Sequence, residues 1–279
     1  MYSVIHTLNC NGRLLVIDQP VVMGIINVNE DSFYSGSRKT DIGDILSMAK
    51  SMLDDGASIL DIGAMSSRPG AKMIDEEVEI KRIVTTVKSI SERYPQAVIS
   101  VDTFRSRVAY EAIQAGASII NDISAGTFDS DMLKIVASLK VPYILMHMKG
   151  QPETMHINPV YRDVVMDITQ FFVSKIHQAR NAGITDIIID PGFGFGKTLD
   201  HNYTLMRNLE VFSIFDLPVL AGISRKSMVW KQLATNPDHA LNGTTALHMY
   251  ALLKGAGILR VHDVKEAVEC VSLFAKLTC

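Results

Sequence analysis

Short apolar, β-branched runs alternate with longer segments of helical periodicity along most of the chain. Eight runs stand out, at residues 21–27, 58–62, 97–102, 117–122, 142–147, 186–190, 218–224 and 256–261. Their near-continuous apolar character, in place of strict alternation, marks parallel strands covered on both faces. Between them the apolar positions recur at helical spacing. Residues 44–55 carry Ile45, Met48, Ala49, Met52 and Leu53, and residues 76–93 carry Val78, Ile80, Ile83, Val84, Val87 and Ile90. Gly56, Gly116, Gly183 and Gly255 follow predicted helix ends and precede strands, the position where a left-handed cap is needed. The polar residues that end the runs are Asn27, Asp61, Asp102, Asn121, His147, Asp190, Ser224 and Arg260, at intervals of 19 to 43 residues. Each interval holds one βα unit, the shortest with room for only a short helix.

Ahead of these units, residues 4–9 and 13–18 flank Asn11-Gly12, a pair suited to a two-residue hairpin turn in which both positions need positive φ. The pattern therefore predicts a single domain over 1–279: a (β/α)8 TIM barrel with a short N-terminal β-hairpin at 1–18 closing its bottom. A doubly wound sheet is the alternative. Eight evenly spaced units without a distinct second half favour the barrel, which takes about 250 residues.

Composition narrows the function classes. With 27 Lys and Arg against 30 Asp and Glu, the formal charge is −3, so no broad basic face for nucleic acid is expected. No apolar run is long enough to span a bilayer, and the first residues do not read as a secretory leader. Cys10, Cys270 and Cys279 are odd in number and far apart, which fits neither a disulfide framework nor a zinc site and points to a reducing, cytoplasmic setting.

In a barrel the active site lies at the C-terminal ends of the strands. Those ends collect Asn27, Asp61, Asp102, Asn121, His147, Asp190, Lys226, Arg260 and His262. Each one singly could be a helix cap, and Asp61 and Asp122 read most simply as structural. Together they are too many hydrogen-bonding groups for one mouth without a ligand. Arg260 and His262 alternate across Val261 and would share a strand face aimed at an anion. Residues 191–198, Pro-Gly-Phe-Gly-Phe-Gly-Lys-Thr, fail both the Walker A spacing and the dinucleotide fingerprint. They read as a flexible glycine loop after Asp190 carrying two rings: either a tight turn with Phe193 and Phe195 plugging the barrel top, or, as favoured here, a loop whose Phe195 lines a flat ligand's pocket. Arg68, beside Ser66 and Ser67, suits an anionic substrate.

In sequence order, Met23-Gly-Ile-Ile-Asn-Val28 with Asp31-Ser-Phe33, Ser66-Ser-Arg-Pro-Gly-Ala71, Ser100-Val-Asp-Thr103, Ile120-Asn-Asp-Ile123, Asp190-Pro-Gly-Phe-Gly-Phe-Gly-Lys197, Ser224-Arg-Lys-Ser227 and Arg260-Val-His-Asp-Val264 resemble the signatures of the dihydropteroate synthase family of pterin-binding barrels. The resemblance covers almost the whole chain. It implies condensation of a dihydropterin hydroxymethyl pyrophosphate with 4-aminobenzoate, giving dihydropteroate and pyrophosphate in folate synthesis, with Mg2+ as cofactor and sulfonamides as inhibitors.

By that resemblance Asp102, Asn121, Asp190, Lys226 and Arg260 bind the pterin. Asp102, Lys226, Arg260 and His262 are catalytic. Asn27, Arg260 and His262 hold the pyrophosphate, with Asn27 also at the metal. Ser67, Arg68, Pro69, Phe195 and Ser227 receive the aminobenzoate. The chemistry is consistent with these types: a carboxylate accepts paired ring donors, and an aryl amine is already neutral and needs no strong base. The family's usual Thr-Pro is replaced here by Asn29-Glu30, which restores a backbone N–H and frees φ. Segments 28–39 and 64–73 are expected to order over the substrates. A homodimer through outer helices is implied by resemblance alone. A pterin barrel that transfers a methyl group to a corrinoid protein, or a pterin binder without turnover, are the competing readings.

Overall fold

A computed structural model describes residues 5–28, 40–65, 73–151, 155, 157 and 159–278. The hairpin forms first, with β1 (His6–Cys10) antiparallel to β2 (Arg13–Ile17). Its turn has positive φ at both Asn11 and Gly12, as the two-residue loop requires. Residue 4 of the expected hairpin lies outside the described residues.

Eight parallel strands follow in the order β8-β7-β6-β5-β4-β3-β10-β9. They are β3 (Val21–Asn27), β4 (Ile59–Gly63), β5 (Val98–Asp102), β6 (Ile119–Asp122), β7 (Tyr143–Met146), β8 (Ile187–Asp190), β9 (Leu220–Ala221) and β10 (Ile258–Val261). A parallel bridge from Ile189 to Val219 joins β8 to β9 and closes the barrel. The expected strand at 218–224 is thus only two residues of regular ladder, because the chain turns away at Gly222 to place the basic cluster that follows.

The outer ring is α1 (Thr40–Asp54), α2 (Glu76–Arg93), α3 (Ser106–Gln114), α4 (Met132–Leu139), α5 (Val164–Ala182), α6 (Leu199–Arg207), α7 (Ser227–Trp230), α8 (Leu241–Leu253) and α9 (Val264–Thr278). Helix α1 starts four residues before the expected 44. The short interval between Asp102 and Asn121 holds the nine-residue α3. Asp75 caps α2 by accepting from the Glu77 N–H at 2.9 Å, and three glutamates in the first turn favour the positive end of the helix.

The barrel interior is layered. Met23, Ile59, Val98, Ile119, Ile144, Ile188, Leu220 and Ile258 form an apolar floor, sealed from below by Leu8, Cys10 and Ile17 of the hairpin. The hairpin is tied to the strand-entry turns by three hydrogen bonds. Asn9 N–H donates to Asp186 Oδ2 at 2.7 Å, Asn11 Nδ2 to Ala117 O at 3.2 Å, and Arg13 Nη2 to Pro95 O at 2.7 Å. It therefore closes the bottom as expected. Side chains on one strand face recur every two residues. Two positions above the floor the same inward face carries Asp61, Ser100, Asn121, Asp190 and Arg260 together with Ile25, Met146 and Gly222. The interior changes there from wholly apolar to a layer in which five of the eight strands place a polar side chain.

Candidate active site

Asp102, Asn121, Asp190, Lys226 and Arg260 meet at the C-terminal mouth of the barrel. Arg260 is the hub: its Nε donates to Asp61 Oδ2 at 2.6 Å and its Nη2 to Asp102 Oδ2 at 2.9 Å. Burial by itself would lower its pKa, but the carboxylates of Asp61 and Asp102 outweigh that and raise it, so the guanidinium is permanently charged. Asn121 donates through Nδ2 to the same Asp61 Oδ2 at 3.1 Å.

One cation cannot neutralise both carboxylates, of which Asp61 is fully buried and Asp102 partly so. Burial raises the Asp102 pKa to about 7 against the pull of Arg260, with Asp61, Asp122 and Glu79 pushing the same way as burial. Asp190 is also raised by burial, opposed chiefly by Lys226, and its Oδ1 accepts from the Gly192 N–H at 2.7 Å. Burial lowers Lys226 to about 8, although Asp190 works against the change.

Lys226 Nζ donates to Phe193 O at 2.5 Å and sits 4.6 Å from the centroid of the Phe195 ring. Gly222 lies under the pair: a Cβ there would be in ordinary contact with Lys226 Nζ at 3.7 Å and Asp190 Oδ2 at 3.8 Å. Phe193 is wholly buried in the core between barrel and helices. Phe195 instead joins Phe104, Ile123, Met146 and Met155 in a separate apolar cluster at the mouth. The two rings of the glycine loop thus have different jobs, one in packing and one beside the pocket.

That loop is held, not free as its glycine content suggests. Lys197, buried, donates Nζ to Gly192 O at 2.8 Å, Phe195 O at 3.1 Å and His147 Nδ1 at 3.0 Å. Burial drives the lysine pKa well down and, with help from Lys197 and Lys149, drives His147 to about 2, so the ring is neutral. The loop also presses on the end of β7. A Cβ at Gly192 would fall 1.9 Å from His147 O and one at Gly196 would fall 2.3 Å from Lys149 O. Only glycine fits such a backbone approach.

His262 follows β10, with Nδ1 paired to Ser224 Oγ at 3.1 Å. Burial and then Arg260 lower its pKa to about 4. His262 and Asn27 border one cavity of about 540 Å³ that runs outward between α1 and the first turn of α9. Arg260 points inward to Asp61 and Asp102, so the two basic residues across Val261 serve adjoining spaces. Ser227 opens α7, half-buried. Ser67, Arg68 and Pro69 lie outside the described residues, as do Asn29-Glu30 and most of segments 28–39 and 64–73.

Two participants differ from the sequence expectation. Asp61, read as structural, is at the centre of the mouth; its signal was its place two residues beyond the inward-facing Ile59. Lys197 carries no such signal, because a lysine in a glycine-rich turn reads as solvent-facing. Asp122 is structural as read. It accepts from the N–H groups of Ser124 and Gly126, each at 2.7 Å, and from the Tyr143 hydroxyl at 2.5 Å.

A closed (β/α)8 barrel with this mouth defines a class. It is a barrel enzyme with carboxylates, an amide and two cations gathered at the C-terminal ends of its strands. The chain matches the pterin binding enzyme family over residues 23–262. Dihydropteroate synthase of Escherichia coli K12 is 42% identical over 262 residues, 93% of this chain and 92% of that protein. The Yersinia pestis dihydropteroate synthase in complex with a sulfonamide drug superposes with a TM-score of 0.91 at 40% identity, covering 98% of this chain and 99% of that one. The Xanthomonas albilineans dihydropteroate synthase with 4-aminobenzoic acid gives 0.91 at 37% identity, covering 98% of each. The chain belongs to the dihydropteroate synthase family of pterin-binding enzymes.

Proposed function

We propose that this chain condenses 6-hydroxymethyl-7,8-dihydropterin pyrophosphate with 4-aminobenzoate, yielding 7,8-dihydropteroate and pyrophosphate. The observation that carries the reading is the cluster of buried Asp190 and Asn121 with half-buried Lys226, Arg260 and Asp102 at one barrel mouth. Asp190 accepts the paired ring N–H and exocyclic amino donors of the pterin, Asn121 meets the next ring atom, and Lys226 donates to the ring carbonyl. Arg260 lies against the flat ring. As the methylene–oxygen bond breaks, its electron pair leaves with the pyrophosphate and positive charge develops on the pterin methylene. Asp102, ionised, stabilises that charge. The aryl amine attacks through its lone pair and loses its proton afterwards.

Asn27, Arg260 and His262 receive the pyrophosphate. In support, Asn27 and His262 border one cavity beside the N-terminal end of α9, and Arg260 lies on the adjoining inward face. Among the described residues no cluster of three carboxylate, His or Cys groups could hold a metal. That fits Mg2+, which keeps several waters and takes phosphate oxygens, so the single exposed side-chain oxygen of Asn27 suffices on the protein side. Bound there, Mg2+ would neutralise charge on the leaving group. Ser67, Arg68, Pro69, Phe195 and Ser227 take the aminobenzoate, and sulfonamides compete with it, as the complexes of the Xanthomonas and Yersinia relatives suggest. The enzyme works in the cytoplasm as a homodimer through outer helices. In support, α8 and α9 expose Leu253, Leu273 and Leu277.

The test mixes purified protein with the pterin pyrophosphate, 4-aminobenzoate and Mg2+ and follows pyrophosphate release. Turnover that stops on chelation and resumes with Mg2+ is the expected result. Tight pterin binding without release would overturn the reading in favour of a binder.

A further inference from the structure

We propose that Asp61 is a positioning residue of this site, orienting the Asn121 amide and the Arg260 guanidinium toward the pterin. The proposal rests on the synthase reading above. Asp61 lies in the interior layer above the apolar floor, in register with Ile25 on one side and Ser100 on the other. It is fully buried, and its Oδ2 accepts from both Asn121 Nδ2 and Arg260 Nε.

A carboxylate accepts only, so the amide nitrogen of Asn121 must face Asp61 and its carbonyl oxygen must face away. That oxygen takes no hydrogen bond from any described residue, which leaves it for a ligand donor. Asp61 therefore selects which side of the amide reads the ring edge. Without a carboxylate at this position, the two amide orientations would be close in energy and the reading of the edge would lose its sense. Similarly, with Nε held by Asp61 and Nη2 by Asp102, the plane of the guanidinium is set before the ligand arrives, so its ordering cost is met in folding.

A merely structural carboxylate would have its own acceptors filled. Among the described residues, Asp61 Oδ1 and the register neighbour Ser100 Oγ are both buried without a partner. Unpaired buried polar atoms are costly, and two of the four among the described residues are neighbours in this layer, the others being Thr86 Oγ1 and His248 Nε2 on outer helices.

Asp61→Asn keeps the shape and one acceptor but loses the charge that commits both neighbours. Three readouts go beyond stability. Affinity for the pterin pyrophosphate should fall about tenfold or more, the effect of losing charge-assisted positioning. In an Asn121→Ala background the same substitution should cost much less affinity, because part of its action passes through Asn121. The acid limb of kcat/KM should move to lower pH, since Asp102 then faces Arg260, Asp122 and Glu79 without the repulsion of Asp61. A folded Asp61→Asn protein with wild-type pterin affinity and an unshifted pH profile would overturn the proposal, whatever its Tm.

Wild-type protein gives a measurement that needs no variant. In nitrogen-15 NMR, one Asn121 side-chain amide proton should stay displaced and slow to exchange both free and with the pterin pyrophosphate bound. An Asn121 amide released from Asp61 in the bound state would also overturn it. Failure of the wild-type protein to release pyrophosphate would instead remove the synthase reading, and the affinity and amide measurements would still decide the role of Asp61.

Discussion

Arg260 and Asp102 lie 158 residues apart in the chain, yet Nη2 and Oδ2 are 2.9 Å apart at the barrel mouth. Asp61 shares the same guanidinium, so Asp102 is left under-compensated in the ligand-free protein. A carboxyl whose pKa rises on folding takes up protons as the chain folds. Its contribution to stability is full at low pH and is lost as pH rises from about 4 to about 7. Asp102→Asn should therefore raise the Tm of the free protein at pH 8, where each kcal/mol gained is worth about 2–4 °C. The same change should lower kcat about 100-fold, by removing the anion beside the developing cation. Thermal denaturation at pH 5 and pH 8, alongside turnover, checks both. A lower Tm at pH 8 would contradict the charge imbalance.

The profile of kcat/KM against pH reports groups of the free enzyme. Protonation of Asp102 gives an acid limb near 7, and loss of the Lys226 proton gives an alkaline limb near 8. The expected profile is a narrow bell. Lys226→Met should lower the maximum and abolish the alkaline limb. A broad plateau through these pH values in the wild type would rule out the assignment.

In the proposed reading Asp190 accepts from the pterin ring edge, while Gly192 N–H steadies its Oδ1 at 2.7 Å. Asp190→Asn replaces an acceptor with a donor facing a ring donor. Pterin affinity should fall by about 1–3 kcal/mol, as titration calorimetry would show. Unchanged affinity would exclude Asp190 from the ring edge.

Lys197 satisfies the carbonyls of Gly192 and Phe195 and is never in the pocket. Lys197→Met would leave them buried without a donor, costing about 2–4 kcal/mol of stability. Denaturant unfolding measures the loss. A variant as stable as wild type would mean that the loop holds its shape through packing alone.

Phe195 forms the apolar edge beside Lys226. Phe195→Ala should raise KM for 4-aminobenzoate and the inhibition constant of a sulfonamide together, each by about three- to tenfold. Sulfonamide inhibition of the wild type should weaken as aminobenzoate is increased. Inhibition indifferent to aminobenzoate would put the drug elsewhere.

The order of strands and helices was readable in the chain because it rests on local physics. Continuous apolar runs, helical periodicity and glycine caps report themselves within a few residues, and Asn11-Gly12 specified its turn. The strand-end residues Asp102, Asn121, Asp190 and Arg260 were readable for a related reason: in parallel strands with a common direction, every C-terminal end faces the same mouth. What the chain order could not decide was which of these groups share protons and partners. Asp61 became the common acceptor of Asn121 and Arg260 only when strand register set it in their layer. Lys197 became a buried staple only when the glycine loop folded onto the end of β7. Both depend on contacts between residues distant in sequence, where burial and competing charges decide the outcome, and those quantities exist only once the barrel has closed.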